Sequence, residues 1–215
     1  MTSTEVAERF RAVRVVPVIV IEDAARAASL AGALTEGGLP CAEVTFRTRS
    51  AADAIRRMRD AQPGMLIGAG TVLTPTQVDS ALDAGATFIV APGFNPVVVD
   101  YCLERDLPIF PGTCTPSDVE AALMRGLRVV KFFPAEPAGG LPYLKAIAAP
   151  YGDVHFMPTG GITRANVGSY LAFPRVVACG GSWMASPEWI AKGDFDAIRA
   201  ETERTVAATH EVVAR

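Results

Sequence analysis

The sequence predicts a single (β/α)8 barrel, the TIM-barrel class of α/β fold, with a short extra helix at the N-terminus. Three observations carry the prediction. Short apolar, β-branched runs alternate with amphipathic segments, the pattern of parallel β/α architecture. Eight such strands can be counted, their centres roughly 20–27 residues apart, which suits a compact barrel near the lower size limit. Three helices also begin alike, at Thr74-Pro75, Asn95-Pro96 and Thr115-Pro116. Each puts a capping side chain before a proline at the first helical position. Each follows a strand and a glycine, namely Gly70, Gly93 and Gly112. The 215 residues, half of them hydrophobic, suffice for one sizeable core and are slightly short for two, so 1–215 is read as one domain. A doubly wound open sheet is the runner-up. It would more often carry G-x-G-x-x-G after its first strand, where this chain reads Ile21-Glu22-Asp23-Ala24-Ala25.

Ser3 to Arg11 is the extra amphipathic helix, capped by Ser3 or Thr4. The first strand is Val15 to Ile21. Asp23 caps a helix with Ala27, Leu30, Ala31 and Leu34 on one face, and Gly37-Gly38 ends it. Cys41 to Phe46 is the second strand. Ser50 caps the next helix, which stops before Pro63-Gly64. The remaining strands are Met65–Ala69, Phe88–Ala91, Pro108–Phe110, Val129–Phe133, Val154–Pro158 and Val176–Cys179. A last helix runs from Phe195 to Val213, with Phe195, Ile198, Thr202 and Val206 at helical spacing.

Composition excludes several functions. Net charge is −3, a fifth of the residues are charged, and no basic stripe occurs. Nucleic acid and anionic membrane surfaces are therefore not expected partners. The first 14 residues have no apolar core, so they are not read as a signal peptide. No apolar run is long enough to span a membrane. Cys41, Cys102, Cys114 and Cys179 are scattered, without a C-x-x-C pair. Buried free thiols in a reducing cytosol are the default reading, and the cytoplasm is the expected location. The two histidines, His155 and His210, belong to no ligand cluster, so neither a metal nor a cofactor is expected.

The chemistry centres on Arg128-Val129-Val130-Lys131-Phe132-Phe133-Pro134, an apolar strand with a lysine in its middle. A buried ammonium is costly, whereas a neutral lysine amine is a nucleophile that forms a Schiff base with a carbonyl. The bland alternative is a lysine at a strand edge that snorkels to water. In the second strand Ala42, Val44 and Phe46 form one face, and Cys41, Glu43, Thr45 and Arg47 form the inward one. If Val129, Lys131 and Phe133 also face inward, Lys131 and Glu43 share a cavity as nucleophile and proton shuttle. The structural alternative is a buried ion pair. Arg47, at the strand exit, can grip a carboxylate with two parallel hydrogen bonds, or else lie on the surface as Arg49 is expected to do. Thr71 offers a hydroxyl at the same rim, and Pro92 its carbonyl or ring edge. Pro158-Thr159-Gly160-Gly161-Ile162 and Gly180-Gly181-Ser182-Trp183 place glycine pairs after the last two strands, each expected to open a helix. Bare N–H groups at helix N-termini make an anion site, and these are the loops where barrels most often hold phosphate.

Glu43 to Thr48, Gly68 to Val72, Ala91-Pro92-Gly93, Lys131 to Glu136, Pro158 to Ile162 and Gly180 to Trp183 together resemble the bacterial 2-keto-3-deoxy-6-phosphogluconate (KDPG) aldolases. That family includes enzymes that also cleave 4-hydroxy-2-oxoglutarate. The motifs fall in order over nearly the whole chain. The resemblance implies a homotrimeric class I aldolase of the Entner–Doudoroff pathway, splitting KDPG into pyruvate and glyceraldehyde 3-phosphate without a cofactor. By the match, Lys131 is the Schiff-base lysine and Glu43 the general acid/base. Arg47 holds the pyruvyl carboxylate, with Thr71, Pro92 and Phe133 lining the pocket and Thr159 near the aldehyde-side hydroxyls. Gly160, Gly161, Gly181 and Ser182 match the phosphate loops. An aldolase for the galactonate epimer is the near alternative; it lacks the arginine that Arg47 supplies here, which favours the gluconate reading by analogy. A phosphate-binding barrel isomerase without an imine, or a non-catalytic sugar-phosphate sensor, are the rivals from other classes.

Overall fold

Thr2 opens the chain's first helix, α1 (Ser3–Val13). Its side chain accepts from the Glu5 N–H while the Glu5 carboxylate accepts from the Thr2 N–H, a complete capping box. This corrects the expected cap at Ser3 or Thr4, because only Thr2 has a glutamate three residues on. The structure, a computed structural model, describes residues 1–210. Among these residues the strands are β1 (Val15–Ile19), β2 (Cys41–Thr45), β3 (Leu66–Gly70), β4 (Ile89–Val90), β5 (Ile109–Phe110), β6 (Gly112–Thr113), β7 (Val129–Phe132), β8 (His155–Pro158) and β9 (Cys179–Gly181). The helices between and after them are α2 (Ala27–Glu36), α3 (Ala51–Ala61), α4 (Pro75–Ala84), α5 (Pro96–Leu103), α6 (Pro116–Leu123), α7 (Gly140–Ala148), α8 (Val167–Leu171), α9 (Pro187–Lys192) and α10 (Phe195–His210). The expected end of the last helix at Val213 lies outside the described residues.

All strand pairings are parallel. Six strands form one sheet in the order β5-β4-β3-β2-β1-β9, and β6-β7-β8 form another. Pro111 alone separates β5 from β6. It has no N–H to continue a ladder, so the strand read as Pro108–Phe110 ends at Phe110 and a second short strand, β6, not expected from the sequence, follows it. Isolated parallel bridges, Phe156 to Val176 and Thr159 to Gly180, link β8 to the β9 stretch. The last strand is thus shifted from the expected Val176–Cys179 to Cys179–Gly181. The result is a parallel α/β fold of TIM-barrel-like build.

Helix starts follow the sequence with instructive exceptions. Thr74, Asn95 and Thr115 accept hydrogen bonds from Gln77, Val97 and Asp118 N–H groups as expected. Ser186 before Pro187 repeats the device at α9. Asp23 caps a 3-10 turn, Ala24–Arg26, ahead of α2. Ser50 does not cap α3; its hydroxyl donates instead to the Glu22 carbonyl at 2.6 Å, a tertiary partner that outcompetes the local one.

Two apolar clusters sort the strand faces. Ala42 and Val44 of β2, and Val130 and Phe132 of β7, belong to the cluster shared with the helices. Val16, Cys41, Leu66, Phe88, Val90, Phe110, Met157 and Val177 form a second, central cluster, completed by Val6 and Phe10 of α1. Helix α1 therefore plugs one end of the strand layer. The Phe10 ring lies 5.1 Å from those of both Phe88 and Phe110. Phe10→Ala is expected to cost about 3–5 kcal/mol of stability, read from urea unfolding, because a fully buried ring in a rigid cluster leaves a cavity. A loss below about 1 kcal/mol would mean that α1 is dispensable to the core. Burial pushes the Cys102 thiol up to about 12 and raises those of Cys41 and Cys179 as well, so these free cysteines are poor nucleophiles.

Candidate active site

Glu43 is on the same side of β2 as Cys41, the side of the central cluster, and one layer nearer the strand ends. Lys131 stands on the corresponding side of β7. Both are buried, at 0% and 5% exposure, and the Lys131 Nζ donates to Glu43 Oε1 at 3.1 Å and approaches Oε2 at 3.4 Å. The room for the carboxylate comes from β3. A Cβ on Gly70 would stand 2.2 Å from Glu43 Oε1, so any side chain there would expel the acid. Phe133, two residues after Lys131, places its ring centroid 5.5 Å from Nζ, a cation–π distance. Two hydroxyls fix the frame. Thr113 Oγ1 donates to the Lys131 carbonyl at 3.1 Å, and Thr45 Oγ1 donates to the Ile19 carbonyl at 2.8 Å. A buried amine held on a buried carboxylate is equipped for proton transfer between them and for attack on a carbonyl once the amine is neutral.

A cavity of about 260 Å³ connects to this pair through Phe133, though neither Lys131 nor Glu43 itself lines it. Arg47, Phe133, Thr159, Gly160, Gly161, Gly181 and Ser182 line it, together with Val18, Val20, Ile162, Gly180 and Pro187. Seven of the residues singled out in the sequence thus meet in one place. Arg47 is the single charged side chain among them; it is exposed and makes no hydrogen bond or ion pair to the described residues. Thr159 is buried, and a Cβ on Gly180 would stand 2.3 Å from its Oγ1, so the two loops meet closely. Thr71 and Pro92 are not in the cavity lining. Thr71 follows Gly70 at the end of β3 with a φ of 56°, a strained conformation for a β-branched residue. The Pro92 carbonyl lies against Gly112, which is the ladder partner of Lys131. Val18 and Val20 were legible as the inward alternates of the first strand after Val16.

The glycine pairs do not open helices directly, which corrects the sequence reading. After Gly160-Gly161 the chain makes a turn in which Asn166 accepts from the Thr163 N–H and donates to the Gly161 carbonyl. Helix α8 begins only at Val167, and α9 only at Pro187. Helix dipoles therefore contribute little at the glycines, since that effect fades beyond the first turn. What the loops supply is unspent donors: among the described residues, the N–H groups of Gly161, Ile162 and Ser182 bond to no other backbone group. Both loops are braced by α10. Trp183 Nε1 donates to Thr205 Oγ1 at 2.9 Å, and Arg164 pairs with the largely buried Glu201 at 3.1 Å. No group of three or more His, Cys, Asp or Glu residues able to hold a metal occurs among the described residues. No described helix is long and apolar enough to cross a membrane.

A profile of the family described as KDPG and KHG aldolase matches residues 6–201. The chain belongs to that family. Among its relatives, a 2-dehydro-3-deoxy-phosphogluconate aldolase of Treponema pallidum (strain Nichols) is 50% identical, over 93% of this chain and 95% of that protein. The 2-keto-3-deoxy-6-phosphogluconate aldolase of Zymomonas mobilis ZM4, solved with 3-phosphoglycerate, superposes with a TM-score of 0.89 at 39% identity, covering 96% of this chain and 97% of that one. The KDPG aldolase of Legionella pneumophila, solved with pyruvate captured at low pH as a covalent carbinolamine intermediate, gives 0.89 at 39% identity, covering 93% and 97%. The family inferred from Lys131 to Glu136 and the other motifs is thus the one that residues 6–201 match.

Proposed function

We propose that this aldolase-family chain is a class I aldolase that splits KDPG reversibly into pyruvate and glyceraldehyde 3-phosphate. A second substrate on the same reading is 4-hydroxy-2-oxoglutarate, giving pyruvate and glyoxylate. The observation that carries it is the 3.1 Å contact between buried Lys131 Nζ and buried Glu43 Oε1. Lys131 passes a proton to Glu43, and the freed amine attacks the C2 ketone. Glu43 returns the proton to the departing hydroxyl as water, which leaves a protonated imine. That imine is an electron sink. Glu43, directly or through a water, then takes the proton of the C4 hydroxyl, the C3–C4 bond breaks, and glyceraldehyde 3-phosphate leaves an enamine behind. Glu43 protonates C3, and hydrolysis frees pyruvate. Arg47 takes the carboxylate, with Thr71, Pro92 and Phe133 around the pyruvyl end. Thr159 faces the aldehyde-side hydroxyls, and Gly160, Gly161, Gly181 and Ser182 take the phosphate. Holding the substrate at both ends supplies orientation.

The same reading treats 1–215 as one domain and its strands as a closed (β/α)8 barrel in which β5 and β6 are one interrupted stave. The β9–β1 pairing and the two bridges from β8 support this closure. A homotrimer, the cytoplasm and the Entner–Doudoroff pathway follow from resemblance to the family.

Borohydride reduction in the presence of pyruvate tests the proposal. A pyruvate-derived adduct is expected on the peptide that carries Lys131, and release of pyruvate from KDPG is expected in a coupled assay. The chain has three lysines, and the other two lie on outer helices, Lys145 over the Phe173 ring and Lys192 paired with Glu188, so mapping is unambiguous. Turnover of KDPG without any reducible adduct would overturn the imine mechanism in favour of another barrel chemistry.

A further inference from the structure

Glu136 closes the Lys131–Glu136 motif, yet it lines no part of the cavity and the mechanism above gives it no task. Its carboxylate accepts a short hydrogen bond from the hydroxyl of Tyr170, which is buried in α8. Its side-chain stem lies directly on the Gly160–Gly161 turn. A Cβ on Gly161 would stand 2.6 Å from Glu136 Cβ and 2.8 Å from its Cγ. Gly161 also has a φ of 79°, so glycine is required there for conformation and for space alike. The backbones join as well: Ala135 N–H donates to the Thr159 carbonyl at 2.8 Å, and Glu136 N–H donates to the Gly160 carbonyl at 3.0 Å. The turn that carries Glu136 is itself stapled, with Gly140 N–H donating to the Ala135 carbonyl at 2.9 Å. On the far side, Asn166 holds the Gly161 carbonyl at 3.1 Å.

The geometry points to Glu136 and Tyr170 as positioning residues that clamp the Gly160–Gly161 turn, so that the free N–H groups of Gly161 and Ile162 are set for the distal phosphate of the substrate. The clamp acts through shape. With both Gly160 and Gly161 at positive φ, the turn has no side chains of its own to fix it. The Glu136 stem fills the surface that Gly161 leaves bare. Tyr170, anchored in the core, stops that stem from swinging away. It also draws the carboxylate toward α8, where a negative charge does not meet the incoming phosphate. Burial, reinforced by the bond to Glu136, pushes the Tyr170 phenol well above its usual range, so it remains a donor through neutral pH. The clamp joins the strand of Lys131 to the phosphate loop, which fixes the distance between the two ends that the substrate must bridge. The assignment rests on the proposed aldolase reading for the identity of the anion.

The test compares Glu136→Ala, Tyr170→Phe and Glu136→Gln. Glu136→Ala is expected to raise KM for KDPG about 10-fold with kcat within about 2-fold, the signature of lost uniform binding. Tyr170→Phe, which removes one hydroxyl, should raise KM about 3-fold. Glu136→Gln keeps the stem and an acceptor for Tyr170 and should restore wild-type KM, which separates positioning from a folding defect. KM for the unphosphorylated 4-hydroxy-2-oxoglutarate and borohydride trapping of pyruvate should stay unchanged in all three. Equal rises in KM for both substrates, or a fall in kcat with KM unchanged, would overturn the clamp. Titration with glycerol 3-phosphate, which needs no aldol chemistry, gives an independent readout. Weaker binding to Glu136→Ala supports the clamp even if wild type releases no pyruvate, and unaltered binding refutes it even if the enzyme is active.

Discussion

Lys131→Ala is expected to abolish KDPG cleavage, with a loss on the order of 10⁴-fold or more, because the nucleophile of every covalent step is gone. Neither remaining lysine can substitute, since Lys145 and Lys192 are on outer helices. The change has a second effect. Glu43 is fully buried, and without Lys131 it is a carboxylate with neither water nor a cation. Breaking a buried pair from one side costs about 3–5 kcal/mol, so the variant should also unfold at lower urea. The double variant Lys131→Met/Glu43→Gln removes both charges at similar volume. It should recover most of that stability while remaining inactive. Stability that returns together with activity would place the nucleophile elsewhere, and a Lys131→Ala enzyme near the wild-type rate would sink the mechanism outright.

Glu43→Gln should separate the two halves of the chemistry. Glutamine fits the space that Gly70 leaves, and its amide oxygen still accepts from Lys131. It cannot carry a proton. Solvent can exchange the protons of the imine half, more slowly than Glu43 does, so pyruvate is expected to remain trappable by borohydride at end point, while KDPG turnover falls by about 10²–10⁴-fold. The informative quantity is the ratio of the two losses in the same preparation. Turnover at the wild-type rate would assign the proton transfers to another group, and end-point trapping lost to the same extent as turnover would confine the role of Glu43 to the imine half.

Much of this site could be read from residue order because the physics there is local and severe. An alternating second strand with a carboxylate on one side of Ala42 and Val44 leaves few places for the charge except inside. A lysine among valines and phenylalanines limits its partners in the same way. The proline-started helices were legible since Thr74, Asn95 and Thr115 cap through bonds two or three residues long. What escaped was decided by distant neighbours. Ser50 has a hydroxyl suited to a cap, but the Glu22 carbonyl reaches it first. Thr71 reads only as a hydroxyl at the rim, and its left-handed backbone at the turn after Gly70 has no signal in a β-branched residue. The helices expected straight after the glycine pairs are displaced by turns whose bonds run through Asn166 and Ser182. The strand beyond Pro111 is not expected from the sequence, and only the ladder shows that the pieces before and after it pair to different sides.

Glu43 and Lys131 are 88 positions apart. Loop closure over that span is rewarded late, since β3, β4, β5 and β6 all lie in the chain between the two strands. Half the molecule is therefore catalytically mute. A chain still emerging from synthesis, or nicked and separated between β2 and β7, holds either an acid or an amine but never the pair. Catalytic competence is consequently a late-acquired property of the whole chain, which makes trapping by pyruvate a chemical stamp that only the assembled strand layer can receive.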